Sequence, residues 1–147
     1  SSPTYKLWRA PWDGRSAAGS MSLHADINIG DNTPRGMCID YSGSIYITVD
    51  GTGNYRRIVK VSPDGTVDCD FFDFYSYFGT LEAGRWGDIT LLYGSLYIID
   101  TDENRLVEIT TAGTFVREVS STDFSGPGTS AETYGIAARL QPPEATP

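Results

Sequence analysis

Apolar and polar residues alternate along this chain in short runs, and each run is cut by Gly, Asn, Asp or Pro. Period-two alternation is the mark of strands with one face buried. Residues 33–65, TPRGMCIDYSGSIYITVDGTGNYRRIVKVSPDG, show it best. They predict strands at 37–40, 44–50 and 57–62. Turns at 41–43, 50–55 and 63–65 supply the positive backbone angles that tight hairpins need. A fourth strand is expected over 66–74, with Val67, Cys69 and Phe71 facing one way and Asp68, Asp70 and Phe72 the other. Residues 75–85 read as an aromatic loop, and no segment sustains a helical period.

The pattern then recurs. Residues 87–113, GDITLLYGSLYIIDTDENRLVEITTAG, place Gly87, Gly94 and Tyr97 each 51 positions after Gly36, Gly43 and Tyr46. Arg105 and Gly113 follow Arg57 and Gly65 by 48, because the turn after the second strand is shorter. Residues 114–120 form the outer strand of this copy. Residues 4–14 repeat the third strand and its turn, also at an offset of 51, and residues 20–29 alternate as a further strand. Residues 134–140, YGIAARL, open a third copy. Units of four short strands repeating at this interval predict an all-β propeller rather than a sandwich.

The units resemble NHL-type repeats. The resemblance rests on the Gly before the first strand, on GSIYI and GSLYI in the second, on Asp then Arg around the next turn, and on Asp-Gly or Ala-Gly after the third. It implies a β-propeller of four-stranded blades, about three per chain. Blades are expected at 35–74 and 86–120, with a third split between 4–29 and 134–140, and residues 141–147 as a Pro-rich tail. The second strand of the split blade has no counterpart in the sequence. Such a scaffold hosts many functions, so the resemblance implies fold and not activity.

This architecture separates the two cysteines. Cys38 falls on an innermost strand and Cys69 on an outermost one, three strand spacings or ~14 Å apart. A disulfide needs Cα atoms within ~7 Å, so both are expected to be free, buried thiols.

Charge narrows the partners. The 147 residues carry a net charge of −8, with nine Arg and two Lys. Nucleic acid and anionic membrane both select basic surfaces, so neither is an expected partner. No apolar run approaches the ~20 residues of a membrane-spanning helix. The chain starts Ser1-Ser2-Pro3 without Met and reads as a mature, processed or excerpted product.

Candidate chemistry is sparse. Asp100, Thr101, Asp102, Glu103 and Asn104 alternate oxygen donors as calcium loops do, but lack the Gly and distal Glu of an EF-hand. The equivalent stretch of the first copy, 50–54, is a turn, and Asp and Asn make turns. Asp50 with Arg57, and Asp100 with Arg105, bracket this turn in both copies and are expected to pin it, as ion pairs or through carboxylate-to-backbone bonds. His24 is the only histidine, so neither a multi-histidine zinc site nor a Ser-His-Asp set is expected. Inner strands offer only Asp40, Asp88 and Arg139 toward a channel. No metal and no cofactor are expected.

The aromatic stretch 71–78 departs most from the repeat. Loop aromatics can form a platform for sugar, peptide or a partner surface, or pack beneath their own loop. The candidate contact residues are Trp12, Tyr75, Tyr77 and Phe78. The expected function is a non-catalytic module that binds a partner protein or glycan and assembles into a closed ring or larger surface structure. The alternative is a propeller lyase or lactonase-like hydrolase with a divalent metal in its channel. Expected partners are a second copy closing a six-bladed homodimeric ring, or the rest of a longer parent chain. The expected location is extracellular, or a cell or virion surface.

Overall fold

The computed structural model describes residues 4–11, 19–51, 56–79, 86–102 and 105–119. The described chain is all-β with antiparallel sheets, none closed into a barrel. It holds ten strands and one short helix. These are β1 (Tyr5–Arg9), β2 (Ser22–Ile27), β3 (Thr33–Ile39), β4 (Ile45–Asp50), β5 (Arg56–Val61) and β6 (Val67–Asp73). There follow α1 (Phe74–Phe78), β7 (Trp86–Leu92), β8 (Ser95–Asp100), β9 (Arg105–Thr110) and β10 (Phe115–Val119). β1 and β2 form a two-stranded sheet. The other two sheets are four-stranded meanders, β3-β4-β5-β6 and β7-β8-β9-β10, in chain order.

The strands expected from the alternation within the described residues are present, with β3 beginning four residues earlier than its apolar run; the strand expected at 134–140 and the tail at 141–147 lie outside the described residues. Pairing of Pro34 with Val49 and of Met37 with Ile47 shows why. One extra residue bulges out of β3 there, so the ladder continues past the point where the simple alternation fails. The same bulge recurs between Trp86 and Ile89 on β7. The expected facing of β6 needs correction. Between the pairs Ile58–Phe72 and Lys60–Asp68 the strand β6 carries two surplus residues, so Phe71 and Phe72 both reach the same core.

The first turn of the expected loop at 75–85 is instead the helix α1. Asp73 caps it, its carboxylate accepting from the backbone amides of Tyr75 at 3.0 Å and Ser76 at 3.3 Å. Such a cap satisfies amides that a helix start leaves without partners.

The middle sheet is packed on both faces. One face places Tyr46, Ile58, Phe72 and Phe74 against Trp86, Ile89, Leu96, Ile98, Val107 and Ile109 of the third sheet. The other places Ile47, Val49, Val59 and Val61 against Ala25, Ile27 and Ile29. The four-stranded sheets meet most closely along β3 and β7. A Cβ on Gly36 would stand 2.7 Å from the Asp88 Cα and 2.9 Å from the Ile89 nitrogen, so only glycine allows this approach. Fully buried Thr48 ties the same seam. Its hydroxyl accepts from the Gly36 amide at 2.8 Å and donates to the Gly87 carbonyl at 2.6 Å.

Both cysteines are free, as expected from their strands, but each is half-buried rather than fully buried.

Candidate functional site

The aromatic stretch after β6 builds most of the structure beside the seam. Phe74 stacks on Trp86 with ring centroids 3.7 Å apart, and both are fully buried. Phe78 is half-buried, 5.9 Å from Trp86 and 5.8 Å from Phe115. Tyr77 lies against Phe115 at 4.5 Å and Phe72 at 5.7 Å, yet remains 51% exposed. Tyr75 is half-buried. Of the four candidate contact residues, α1 therefore brings together Tyr75, Tyr77 and Phe78, and Tyr77 presents the most surface. Trp12 lies outside the described residues.

The helix also covers a charge. Arg105, on β9, stacks its guanidinium over Phe78 at 4.3 Å and over Trp86 at 5.5 Å. Its Nε donates to Asp100 Oδ2 at 2.9 Å and its Nη1 to Glu118 Oε2 at 3.2 Å. Asp100 is fully buried and Arg105 nearly so. Aromatic faces attract a guanidinium through their quadrupole, and desolvation strengthens both contacts. The expected Asp100–Arg105 pair is thus a buried one that closes the β8–β9 hairpin. The Asp102 amide donates to Asp100 Oδ1 at 3.1 Å, so the acidic stretch makes a turn here. Residues 103 and 104 lie outside the described residues.

The corresponding pair in the first copy needs correction. Arg56, not Arg57, stands opposite Asp50 in the ladder. Asp50 receives Arg35 at 3.2 Å and Arg56 at 3.5 Å. Neighbouring strand residues point to opposite faces, so Arg57 turns away and meets Asp70 and Asp73. The two aspartates are also not equivalent. Gly43 with Gly94, and Tyr46 with Tyr97, align at 51, which sets Asp100 against Val49. Asp100 accordingly shares the core-facing side of Leu96 and Ile98.

At the start of β4, Asp40 organises the turn. Its carboxylate accepts from the Ser42 and Ser44 amides, each at 2.9 Å, and from the Tyr46 hydroxyl at 3.0 Å. Burial works to raise its pKa, but these bonds win and hold it below the usual range. Beside it, burial, with Asp40 and Asp88 adding, pushes the Cys38 thiol up to about 12. Burial and the Asp40 bond raise Tyr46 as well. A thiol raised this far is a poor nucleophile and a poor metal ligand. Asp88 accepts from the Ile89 amide at 2.9 Å. Arg139, the third inner-strand candidate with Asp40 and Asp88, lies outside the described residues. Among the described residues no three His, Cys, Asp or Glu side chains gather as metal ligands. His24 is half-buried on β2.

Two exposed tyrosines escaped the sequence reading. Tyr41 and Tyr93 occupy the first turn of each four-stranded sheet, 87% and 75% exposed. Tyr93 has φ of 50°, in the left-handed region that bulky residues avoid, followed by Gly94 at 83°. A two-residue hairpin demands both positive angles, and Asn or Asp is the usual first residue. Their shared signal was a Tyr directly preceding, or two before, the turn glycine of each repeat.

No protein-family model matches the chain, and no curated protein matches it either.

Proposed function

We propose that this chain is a non-catalytic β-propeller arc of NHL-like blades that closes a six-bladed ring with a second copy and binds a partner protein or glycan. One observation carries the reading. Two four-stranded meanders lie face to face and approach backbone to backbone at their first strands, through Gly36 and the Thr48 hydroxyl. Neighbouring blades of a propeller are related in this way, with first strands crowding a common axis. The two-stranded β1–β2 sheet, packed on the opposite face of the middle sheet, fits the outer half of a further blade.

Two blades and a split one fall short of the 4–8 that close a ring, and two copies supply six. Against catalysis stand the raised Cys38 thiol, the engagement of Asp40 in its turn and the ion pair of Asp100 with Arg105. The ligand surface of this reading centres on Tyr77. On this reading the ring stands outside the cell, or on a cell or virion surface.

Electron micrographs of the purified protein test the reading. Class averages should show a six-bladed ring with two-fold symmetry. Open arcs or solid particles without a central channel would contradict it.

A further inference from the structure

The turn tyrosines Tyr41 and Tyr93 share one rim of the molecule. The starts of β3 and β7 meet at Gly36 and Gly87, tied by the Thr48 hydroxyl. Their ends are joined as well. The Tyr46 hydroxyl donates to Asp40 Oδ2 at 3.0 Å and lies 3.4 Å from the Thr111 carbonyl oxygen. The Thr111 amide in turn donates to the Gly94 carbonyl at 3.3 Å. β3 and β7 therefore run side by side in one sense, and the turns at 40–44, 93–94 and 111–113 lie together. The helix α1 leaves the other rim, because β6 ends beside Arg57, toward the start of β3. Both tyrosines sit on braced turns. The Asp40 carboxylate accepts from the Ser42 hydroxyl at 2.6 Å, and the Gly43 amide closes on the Asp40 carbonyl at 3.0 Å. Among the described residues, neither tyrosine makes a ring contact or a hydrogen bond through its hydroxyl. Tyr93 holds its left-handed φ of 50° with no packing in return, where Asn or Asp would sit with less strain.

We infer that this rim binds a neutral β-linked glycan, with Tyr41 and Tyr93 as stacking platforms for its sugar rings. The sugars of cellulose- and chitin-type chains hold their ring substituents equatorially and so expose flat C–H faces. A tyrosine ring covers such a face while its hydroxyl stays in water. A protein partner would call for a contiguous apolar centre inside a polar border. On these three turns the other exposed residues are Ser42, Gly94 and Ala112, small side chains that let a sugar chain lie flat. The net charge of −8, with Asp40 on the rim itself, disfavours a sulfated or carboxylated glycan. The turns are fixed before a ligand arrives, so little ordering opposes binding. The site lies away from Tyr77 and does not need a closed ring.

Calorimetric titration with cellohexaose and with chitohexaose tests this, with a heparin hexasaccharide as the charged comparison. At least one neutral oligomer should bind saturably, and heparin should not bind. Tyr41→Ala and Tyr93→Asn should each weaken that binding by about tenfold or more. Tyr93→Asn places a residue suited to the left-handed region on the turn, so its melting temperature should equal or exceed the parent's. Binding of heparin alone, or of no oligomer, overturns the glycan assignment. Unchanged affinity in both variants overturns the placement on this rim; loss of binding in Tyr77→Ala would then move the sugar site to α1. A lower melting temperature for Tyr93→Asn would show that the ring packs in the fold, and overturns the placement too. The number of blades in the ring is decided separately, by the micrographs.

Discussion

At the scale of single residues, Cys38 shows how position governs chemistry. It sits on β3 beside Asp40 and Asp88, and burial is the largest influence on it. The fold accommodates the neutral thiol. In the unfolded chain the thiol ionises near its ordinary value of 9.0, and in the fold at about 12. Stability from this group is complete below pH 9 and is lost as pH rises toward the folded value. Half-burial discounts the shift, so about 1–2 kcal/mol should disappear between about pH 8 and about pH 11. Urea unfolding at both pH values checks this. The parent should lose more stability across the interval than Cys38→Ala, and equal losses would show that the thiol is not desolvated. Tyr46 is raised in the same direction and is common to both proteins, so the part due to its own burial and its Asp40 bond cancels, and its coupling to Cys38 counts with the thiol.

At the scale of elements, the β8–β9 hairpin depends on Asp100 and Arg105. Removing one partner of a buried pair strands the other charge, at a cost of about 3–5 kcal/mol. Glu118 and the aromatic faces retain part of the Arg105 contacts, so Asp100→Ala should cost about 3 kcal/mol in urea unfolding. Replacing the pair together, as Asp100→Leu with Arg105→Met, should recover most of it. A single-variant loss no larger than that of the exposed Lys6–Asp26 pair, about 0–1 kcal/mol, would contradict the assignment. The strands and their repeat were legible because period-two alternation and turn glycines are local signals. The surplus residues of β6 were not, since a bulge depends on what the partner strand does. Nor was the helix, whose five residues are too few for a period; its signal was Asp73, three residues before Ser76. The choice of Arg56 over Arg57 follows from ladder register, which one strand's sequence leaves open. Of the candidate site, the aromatic cluster was visible as composition. That it covers Arg105 depends on how two sheets meet.

At the scale of the whole molecule, the question is why packing stops where it does. The middle sheet has one face covered across its width and the other uncovered at Met37 and Ile39. Exposed apolar surface invites association, and on the proposed ring reading a two-fold pairing covers it. On the proposed ring reading, the unfilled place is part of a blade shared between copies. Strand sharing would couple folding to assembly, so stability should grow with protein concentration. The particle mass is the most direct measure of this account. Sedimentation equilibrium of the unmodified protein should give twice 16.0 kDa over a wide concentration range. A single species of 16.0 kDa at every concentration would contradict it.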